Sequence, residues 1–190
     1  MSQKFLEKLR KIEKSYFTFK DLEKLWEGKR ESLKVIISRL EKAKKIKRIQ
    51  RKIYVLPEKL GEPEKIANQI YFPSYLSFES ALSLWGILSQ VPYVLTFATF
   101  LKTKKIEIGN TLVEYRKIKK ELFFGFIFKK GIYIALPEKA LLDTLYFKSL
   151  GKLEINLKDL NLSKIKKTRF LKWSKKFPLK TKRLANSILF

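Results

Sequence analysis

The sequence predicts an α+β fold, because the spacing of its apolar residues changes along the chain. Near the N-terminus, Phe5, Leu9 and Ile12 recur at helical spacing. Residues 91–136 instead form short runs rich in β-branched and aromatic side chains, which are typical of strands. Helical spacing returns in the basic residues 152–190. We therefore expect N-terminal helices, then an antiparallel sheet, then basic C-terminal helices.

The charge is concentrated at the two ends of the chain. The 43 Lys and Arg side chains outnumber the 18 Asp and Glu side chains, so the net charge is +25. Residues 1–60 carry +11, residues 61–150 carry +4 and residues 151–190 carry +10. Both basic ends are expected to bind an anionic partner. At the C-terminal end, lysine can also serve simply as a solubilising residue.

Composition excludes several classes of site. The sequence has no Cys and no His, which excludes zinc fingers, disulfide bonds, thiolate nucleophiles, His-based triads and the usual zinc, haem and copper sites. Its glycines form neither a GxxxxGK(S/T) nor a GxGxxG phosphate loop. We expect no metal and no cofactor. The N-terminus has no apolar signal segment and no stretch approaches about 20 apolar residues, so we expect a soluble cytoplasmic protein that binds no membrane.

Three short helices are predicted within the first 45 residues. The first begins at Ser2, and Thr18 is the predicted N-cap of the second, residues 19–25. Asp21 supplies the acidic half of a capping box for this second helix. The third helix is predicted at residues 30–44, and its buried side is an aliphatic stripe formed by Leu33, Ile36, Ile37 and Leu40.

A basic β-hairpin is predicted directly after the third helix. The period changes to two after Lys45, and residues 46–51 and 52–56 supply the two strands. Three helices and a hairpin within sixty residues describe a winged helix-turn-helix, so we assign a DNA-binding domain to residues 1–58. In such a domain the third helix enters the major groove.

Ten residues are predicted to contact DNA, because they lie outside the aliphatic stripe or on the hairpin. Arg30 and Lys34 are the candidates for base edges, and the hairpin is suited to phosphates or the adjacent minor groove. The full set is Lys29, Arg30, Ser32, Lys34, Ser38, Arg39, Lys47, Arg48, Arg51 and Lys52. The alternative is a protein-interaction module with a solvated basic face, which the lack of acidic neighbours around the hairpin cations disfavours.

A second domain is predicted at residues 62–190, after a break at residues 57–63 that contains two Pro and one Gly. Its first helix opens at Ser77 and stops at Gly86, and a later helix at residues 137–150 begins with a proline. Strands are predicted at residues 91–100, 106–108, 112–118, 122–128 and 132–136. Short basic helices are predicted at residues 157–160, 164–175 and 179–189.

Carboxylates on the predicted strands loosely resemble the grouping in metal-dependent nucleases. Glu107, Glu114 and Glu121 lie near Arg116 and Lys117 in the sequence. The same spacing is ordinary for cross-strand Glu–Lys pairs, which is the interpretation we favour. We therefore expect the protein to have no catalytic site.

Two other features of the second domain have both a structural and a functional interpretation. Asp143 lies between apolar positions of a predicted helix, where we expect it to bond a neighbouring backbone group or a Lys. The aromatic residues could stack on nucleobases, but their density and alternation favour a core face for Phe97, Phe100, Phe123, Phe124, Phe126 and Phe128.

Three runs of the second domain, in their order, resemble a known family. The runs are YLSFESALSLWGI at residues 75–87, TFAT at residues 96–99, and IYIA leading into PEKALLD at residues 132–143. They follow a predicted helix-turn-helix that ends in a Tyr-Val-Leu-Pro strand. This order resembles the AbiEi family of antitoxins, which belong to type IV toxin–antitoxin systems, and the likeness covers nearly the whole chain.

The resemblance implies a repressor that binds inverted repeats in the double-stranded DNA of its own operon. It also implies that the second domain counteracts a nucleotidyltransferase-like toxin, which it need not hold in a stable complex. The C-terminal end is also predicted to form a basic surface, which consists of Lys164, Lys166, Lys167, Lys172, Lys175 and Lys176. This surface could share DNA backbone contacts or compete with the toxin for an anionic RNA. The alternatives are a stand-alone winged-helix regulator and a nucleic-acid-processing enzyme. The sequence leaves the oligomeric state open.

Overall fold

Three helices and a three-stranded antiparallel sheet occupy the N-terminal part of the chain. The structure is a computed structural model that describes residues 2–188. The N-terminal elements are α1 (Ser2–Arg10), β1 (Phe17–Thr18), α2 (Phe19–Leu25), α3 (Arg30–Lys42), β2 (Lys47–Gln50) and β3 (Ile53–Val55). The strand order is β1–β3–β2. The predicted helices and hairpin are all present, and α3 ends at Lys42 instead of residue 44.

Helix α3 enters the N-terminal core with its aliphatic stripe. Leu33, Ile37 and Leu40 are buried, and Ile36 is half-buried. The same hydrophobic cluster contains buried side chains of α1, α2 and β3. The aliphatic side of α3 therefore faces inward, as the spacing predicts, and its opposite side faces solvent.

A six-stranded mixed sheet forms the centre of the second part of the chain. Its strands are β4 (Tyr75–Leu76), β5 (Val94–Thr99), β6 (Lys104–Ile108), β7 (Thr111–Lys117), β8 (Phe126–Lys129) and β9 (Ile132–Ala135), in the order β6–β7–β5–β4–β9–β8. The pairs β6–β7, β4–β5 and β8–β9 are antiparallel. The pairs β5–β7 and β4–β9 are parallel. The chain is therefore α+β with the predicted antiparallel pairing, to which the larger sheet adds two parallel pairs.

The structure adds the short strand β1 to the N-terminal part, adds two elements to the second part and interrupts one predicted strand. Helix α4 (Pro63–Ile70) and strand β4 lie in a segment for which the spacing predicts no element. The strand predicted at residues 122–128 begins only at Phe126. A 3-10 turn, Lys120–Leu122, precedes it, and Gly125 has a φ of +75°, which extended backbone does not adopt.

A layer of helices packs around α6 (Pro137–Ser149), in which residues 138–147 are all buried. Helices α5 (Phe78–Leu84), α7 (Lys167–Ser174) and α8 (Leu179–Ser187) contact it. The basic helices predicted before α8 are shorter than expected, because Leu157–Asp159 and Leu162–Lys164 are 3-10 turns. The predicted end of the last helix, at residue 189, lies outside the described residues. None of the helices within residues 2–188 is long and apolar enough to cross a membrane.

The β2–β3 hairpin contacts the second part of the chain directly. Lys47 Nζ donates to the carbonyl oxygen of Gly109 (3.1 Å), and Lys104 Nζ donates to Gln50 Oε1 (2.7 Å). Val55 of β3 is buried within the hydrophobic cluster of the second part. The domain boundary expected between residues 58 and 62 stays a prediction, since side chains on both sides of it share one core.

A fully buried group of polar side chains joins α6 to β4 and to the start of α5. Lys139 Nζ bonds Asp143 Oδ1. The other carboxylate oxygen of Asp143 accepts hydrogen bonds from Tyr75 Oη (2.9 Å) and Ser77 Oγ (2.8 Å). We call these four residues the buried polar cluster. The expected pairing of Asp143 with a Lys is confirmed.

Burial dominates the electrostatics of the buried polar cluster. It lowers the pKa of Lys139 and raises the pKa of Asp143, and each member of the pair opposes the shift of the other. The pKa of Tyr75 lies well above its ordinary value of 10.0, because burial and then the Asp143 carboxylate disfavour the phenolate. Removing one charge would leave the other buried without its partner, which typically costs about 3–5 kcal/mol.

We expect Lys139→Met to lower the free energy of unfolding by about 3–5 kcal/mol, as measured by urea unfolding. In this variant Asp143 has lost its ammonium partner, so burial raises its pKa in the folded state further. A carboxyl group with a raised folded-state pKa stabilises the protein at low pH, and this stabilisation is lost as the pH rises through that pKa. The loss should therefore be larger near neutral pH than near about pH 5.

The control is the double variant Lys139→Met with Asp143→Asn. It carries no buried charge and keeps an acceptor for the Tyr75 and Ser77 hydroxyls, so it should recover most of the lost stability. A double variant no more stable than Lys139→Met would contradict this account of the cluster.

Candidate nucleic-acid interface

A capping box fixes the start of α2, the helix that precedes α3. The Asp21 N–H donates to Thr18 Oγ1 (3.1 Å), and the Thr18 N–H donates to Asp21 Oδ2 (2.8 Å), as the sequence predicts. Lys14 Nζ bonds Asp21 Oδ1 at 2.8 Å. Burial raises the pKa of Asp21, but the hydrogen bonds from Lys14 and Thr18 outweigh it and lower this pKa from 3.8 to about 2. The ionised carboxylate therefore anchors α2.

The turn between α2 and α3 is held by Trp26 and Ser32. Trp26 Nε1 donates to Ser32 Oγ (3.0 Å), which in turn donates to the carbonyl oxygen of Lys29 (2.6 Å). Gly28 suits this turn because a Cβ there would lie 2.6 Å from Trp26 Nε1. Trp26 also packs edge-on against Phe5, with 5.1 Å between the ring centroids. Lys29 and Ser32, both predicted DNA contacts, are exposed, and Ser32 has a local structural role as well.

Arg30 connects α3 to α2. Its Nε bonds Glu23 Oε1 at 2.9 Å, and its guanidinium lies 5.5 Å from the centroid of the Phe19 ring. The side chain is 57% exposed, so this ion pair is worth only about 0–1 kcal/mol. The contact nevertheless directs the guanidinium toward α2. Arg30 is therefore a weaker candidate for a base contact than the sequence alone indicates.

The outer face of α3 presents Lys34, Ser38 and Arg39 to solvent. Within residues 2–188, neither Lys34 nor Arg39 has an acidic partner. Val35 is 49% exposed on the same face, where an apolar side chain can contact a thymine methyl group. Val35 is not among the predicted DNA contacts, although its position outside the aliphatic stripe could have identified it as one. Glu31 is exposed near the start of this face, and a carboxylate there can accept a hydrogen bond from cytosine.

The cations of the hairpin differ in their surroundings. Arg48, Arg51 and Lys52 are exposed, and none of them has an acidic partner in the described part of the chain. Lys52 has a φ of +63° at the turn, and the strand register shifts between Arg48 and Gln50. Lys47 is exposed too, but its ammonium bonds the second part of the chain. The hairpin therefore offers three cations without intramolecular counterions.

The predicted C-terminal basic surface lies on residues 164–176, the segment that contains α7 and packs on α6. All six of its lysines are exposed: Lys164, Lys166, Lys167, Lys172, Lys175 and Lys176. Lys176 Nζ lies 4.4 Å from the centroid of the Phe124 ring, and the Lys166 N–H donates to Glu138 Oε1 (2.9 Å). The first of these contacts attaches the segment to the loop before β8, and the second attaches it to α6.

The carboxylates considered for a nuclease are in ordinary surroundings. Glu114 lies opposite Lys105 in the β6–β7 register and accepts a hydrogen bond from Arg116 Nε at 2.8 Å. Burial raises the pKa of Glu114, but Arg116 and Lys105 outweigh it and lower this pKa below its ordinary value. Glu107 and Glu121 are exposed. Across residues 2–188, no group of three or more acidic residues could hold a metal ion. The cross-strand interpretation is confirmed for Glu114.

Comparison with known proteins gives no family for this chain. It matches no protein-family model and no curated protein. The resemblance to AbiEi antitoxins therefore stays a prediction that depends on the runs quoted above. In the structure the first and last of these runs meet in the buried polar cluster, because Tyr75 and Ser77 come from one and Lys139 and Asp143 from the other.

We expect Thr18→Ala to destabilise the protein by about 1 kcal/mol, because it leaves the first turn of α2 without its cap. The pKa of Asp21 is lowered in the folded protein, so its ionised carboxylate stabilises the fold above about pH 4. This stabilisation is lost as the pH falls toward about 2. Urea unfolding at several pH values, followed by intrinsic fluorescence, measures both effects.

The matched control is Thr168→Ala, since Thr168 is exposed. Its unfolding midpoint should equal that of the parent protein. An Asp21→Asn variant as acid-sensitive as the parent between about pH 4 and 2 would show that the capping box does not produce this dependence.

Proposed function

We propose that this protein binds double-stranded DNA through a winged helix-turn-helix made of α1–α3 and the β2–β3 hairpin. In this assignment α3 is the recognition helix that enters the major groove, and the hairpin is the wing. The observation that carries the proposal is the distribution of cations. The outer face of α3 and the wing expose five cations that have no acidic partner within residues 2–188, namely Lys34, Arg39, Arg48, Arg51 and Lys52.

The two groups of cations have different roles in this proposal. Cations on the wing neutralise phosphates and release counterions, so each such contact lowers the logarithm of affinity by about 0.9 per tenfold increase in salt. Cations near the start of α3 can also reach base edges in the major groove. Lys34 is the best candidate for a base contact, since Glu23 holds Arg30 toward α2. Val35, Ser38 and Arg39 lie beside it on the same face.

The proposal extends to repression and antitoxin activity on the strength of the family resemblance. As a repressor the protein would bind inverted repeats in its own operon, which requires a cytoplasmic location. As an antitoxin its second part would counteract a nucleotidyltransferase-like toxin, with no need for a stable complex. The first and last of the resembling runs meet in the buried polar cluster, which is a structural role. No catalytic role is part of the proposal.

We expect Lys34→Ala to lower the preference for operator DNA over random duplex by about 5- to 150-fold, because it removes a base contact worth about 1–3 kcal/mol. Arg51→Ala should weaken binding to both duplexes equally and reduce the salt slope by about 1, because it removes a phosphate contact. The measurement is fluorescence anisotropy at about 50 mM and 200 mM salt, with the operator located by footprinting of the upstream DNA.

The control is Lys11→Ala, which removes an exposed charge after the end of α1. This variant should bind both duplexes as the parent does. Equal losses on operator and random DNA for Lys34→Ala would place the recognition face elsewhere.

The antitoxin role predicts that replacing Lys164, Lys172 and Lys175 with Gln reduces neutralisation of the toxin, because the C-terminal surface loses charge. The neighbouring genes are first inspected for a nucleotidyltransferase-like toxin, and the readout is growth of cells that co-express that toxin with this protein. Operator binding should keep its specificity. The matched control replaces Lys102, Lys119 and Lys120, which are also exposed, and full neutralisation by the first variant would exclude this role for the surface.

A further inference from the structure

An open cleft of about 350 Å³ lies where the segment before β1 meets the second part of the chain. Aromatic rings form much of its lining, and they belong to Tyr16, Phe72, Phe128 and Tyr133. Polar groups come from Lys14 and Gln69. We call this site the aromatic cleft. The proposed contacts with duplex DNA use none of these residues.

Two rings of the aromatic cleft are far more exposed than phenyl groups in a core. Phe72 is 62% exposed and Phe128 is 64% exposed. Tyr133 lies between them, with its ring centroid 5.9 Å from Phe72 and 5.1 Å from Phe128. The interplanar angles are 44° and 55°, so these rings are not stacked face to face. Both exposed phenyl rings are therefore accessible to a flat ligand.

Phe128 is the one exposed side chain among the aromatic residues that the sequence assigns to a core face, since Phe100 is half-buried and packs edge-on against Phe123. Phe97 is buried, and Phe123, Phe124 and Phe126 pack against the core. Phe128 instead lines the cleft near the end of β8. The core-face prediction is therefore wrong for Phe128, and its ring is available for stacking.

Gln69 gives the cleft hydrogen-bonding groups that are not used internally. Its neighbour in α4, Asn68, is fully engaged: Nδ2 donates to the carbonyl oxygen of Ser74 (2.8 Å), and Oδ1 accepts from the N–H of Tyr133 (2.9 Å). Asn68 thereby ties α4 to β9 and holds Gln69 near Tyr133. The Gln69 side chain is exposed and has no hydrogen-bond partner within residues 2–188. Its amide can both donate to and accept from the edge of a base.

Lysine side chains lie in and beside the cleft. No carboxylate is among the described residues that line it, whereas Lys14 is. The Lys14 ammonium bonds Asp21 at 2.8 Å and retains further donors. Lys130 adjoins the lining residue Gly131, is exposed, and forms no ion pair in the described chain. It borders a neighbouring pocket whose lining also includes Glu13, Glu62 and Glu64. A phosphate attached to a bound ring would meet cations here.

We infer that the aromatic cleft binds an unpaired nucleobase, which stacks on Phe128 or Phe72 and bonds Gln69. Stacking on aromatic side chains tolerates every base, because each base has a π-face. The volume of about 350 Å³ falls within the range of small-molecule sites, about 300–1,000 Å³. Bases inside a duplex cannot bind this way, since neighbouring pairs cover their faces. The ligand is therefore a free nucleotide or an unpaired nucleotide of a strand.

The test measures binding of two probes to the full chain, AMP and a short single-stranded oligoadenylate, at about 200 mM salt to weaken phosphate contacts. At least one of Phe72→Ala and Phe128→Ala should lower affinity by about 5- to 100-fold, because it removes the ring on which the base stacks. Both side chains are largely exposed, so the variants should fold as the parent does. The matched control is Tyr93→Ala, since Tyr93 is 99% exposed and lies outside the cleft.

The outcomes separate this inference from the proposed function. If a cleft variant loses affinity for both probes, the cleft is a nucleotide site. If it loses affinity for the oligoadenylate alone, the cleft is a site for unpaired strands. Unchanged affinity in both cleft variants, or no binding of either probe, would overturn the inference and leave the exposed rings to a protein partner. Duplex binding should be unaffected by the cleft variants, and oligoadenylate binding should survive Lys34→Ala.

Discussion

The buried ion pair between Lys139 and Asp143 is the interaction on which the second part of the protein depends. The Lys139 ammonium lies 5.6 Å from the ring centroid of Tyr75 and 5.1 Å from those of Phe124 and Phe177. Cation–π attraction is strongest when the cation is desolvated, as it is here. The rings come from β4, from the loop before β8 and from the segment after α7, while the charges come from α6. One pair of charges thus orients the sheet and the C-terminal helices together, and with them the exposed lysines beside α7.

Nine of the 18 acidic residues form ion pairs within residues 2–188, and most of these pairs join different elements. Glu58 bonds Arg10 at 2.9 Å, and Glu79 of α5 bonds Arg116 of β7 at 2.6 Å. With 43 basic and 18 acidic side chains, this use of the carboxylates leaves the surplus cations on outer surfaces. Self-repulsion of a +25 chain opposes compaction, and a polyanionic ligand relieves it. The internal ion pairs and the proposed affinity for an anion are therefore two consequences of one charge distribution.

Local patterns predicted the N-terminal part of the fold well. The capping box of Thr18 and Asp21 and the stripe of α3 each involve residues within about one to three helical turns, so the sequence contains the whole signal. The second part depends on distant partners. Strand β4 has only two residues and is defined by its pairing with β5 and β9, and the parallel β5–β7 pair follows from a crossover. Neither leaves a periodic signal in the sequence.

The candidate sites show the same limit at the level of single side chains. Periodicity predicted which side of α3 faces solvent, but the bonds of Arg30 to Glu23 and of Lys47 to Gly109 join residues that periodicity cannot relate. A period of two likewise assigned Phe128 to a core face. The period-two pattern carries no information about where a sheet ends, and β8 is an edge strand of the larger sheet. Because an edge strand has a neighbour on one side only, its side chains are covered less completely, and the aromatic cleft exists at this edge for that reason.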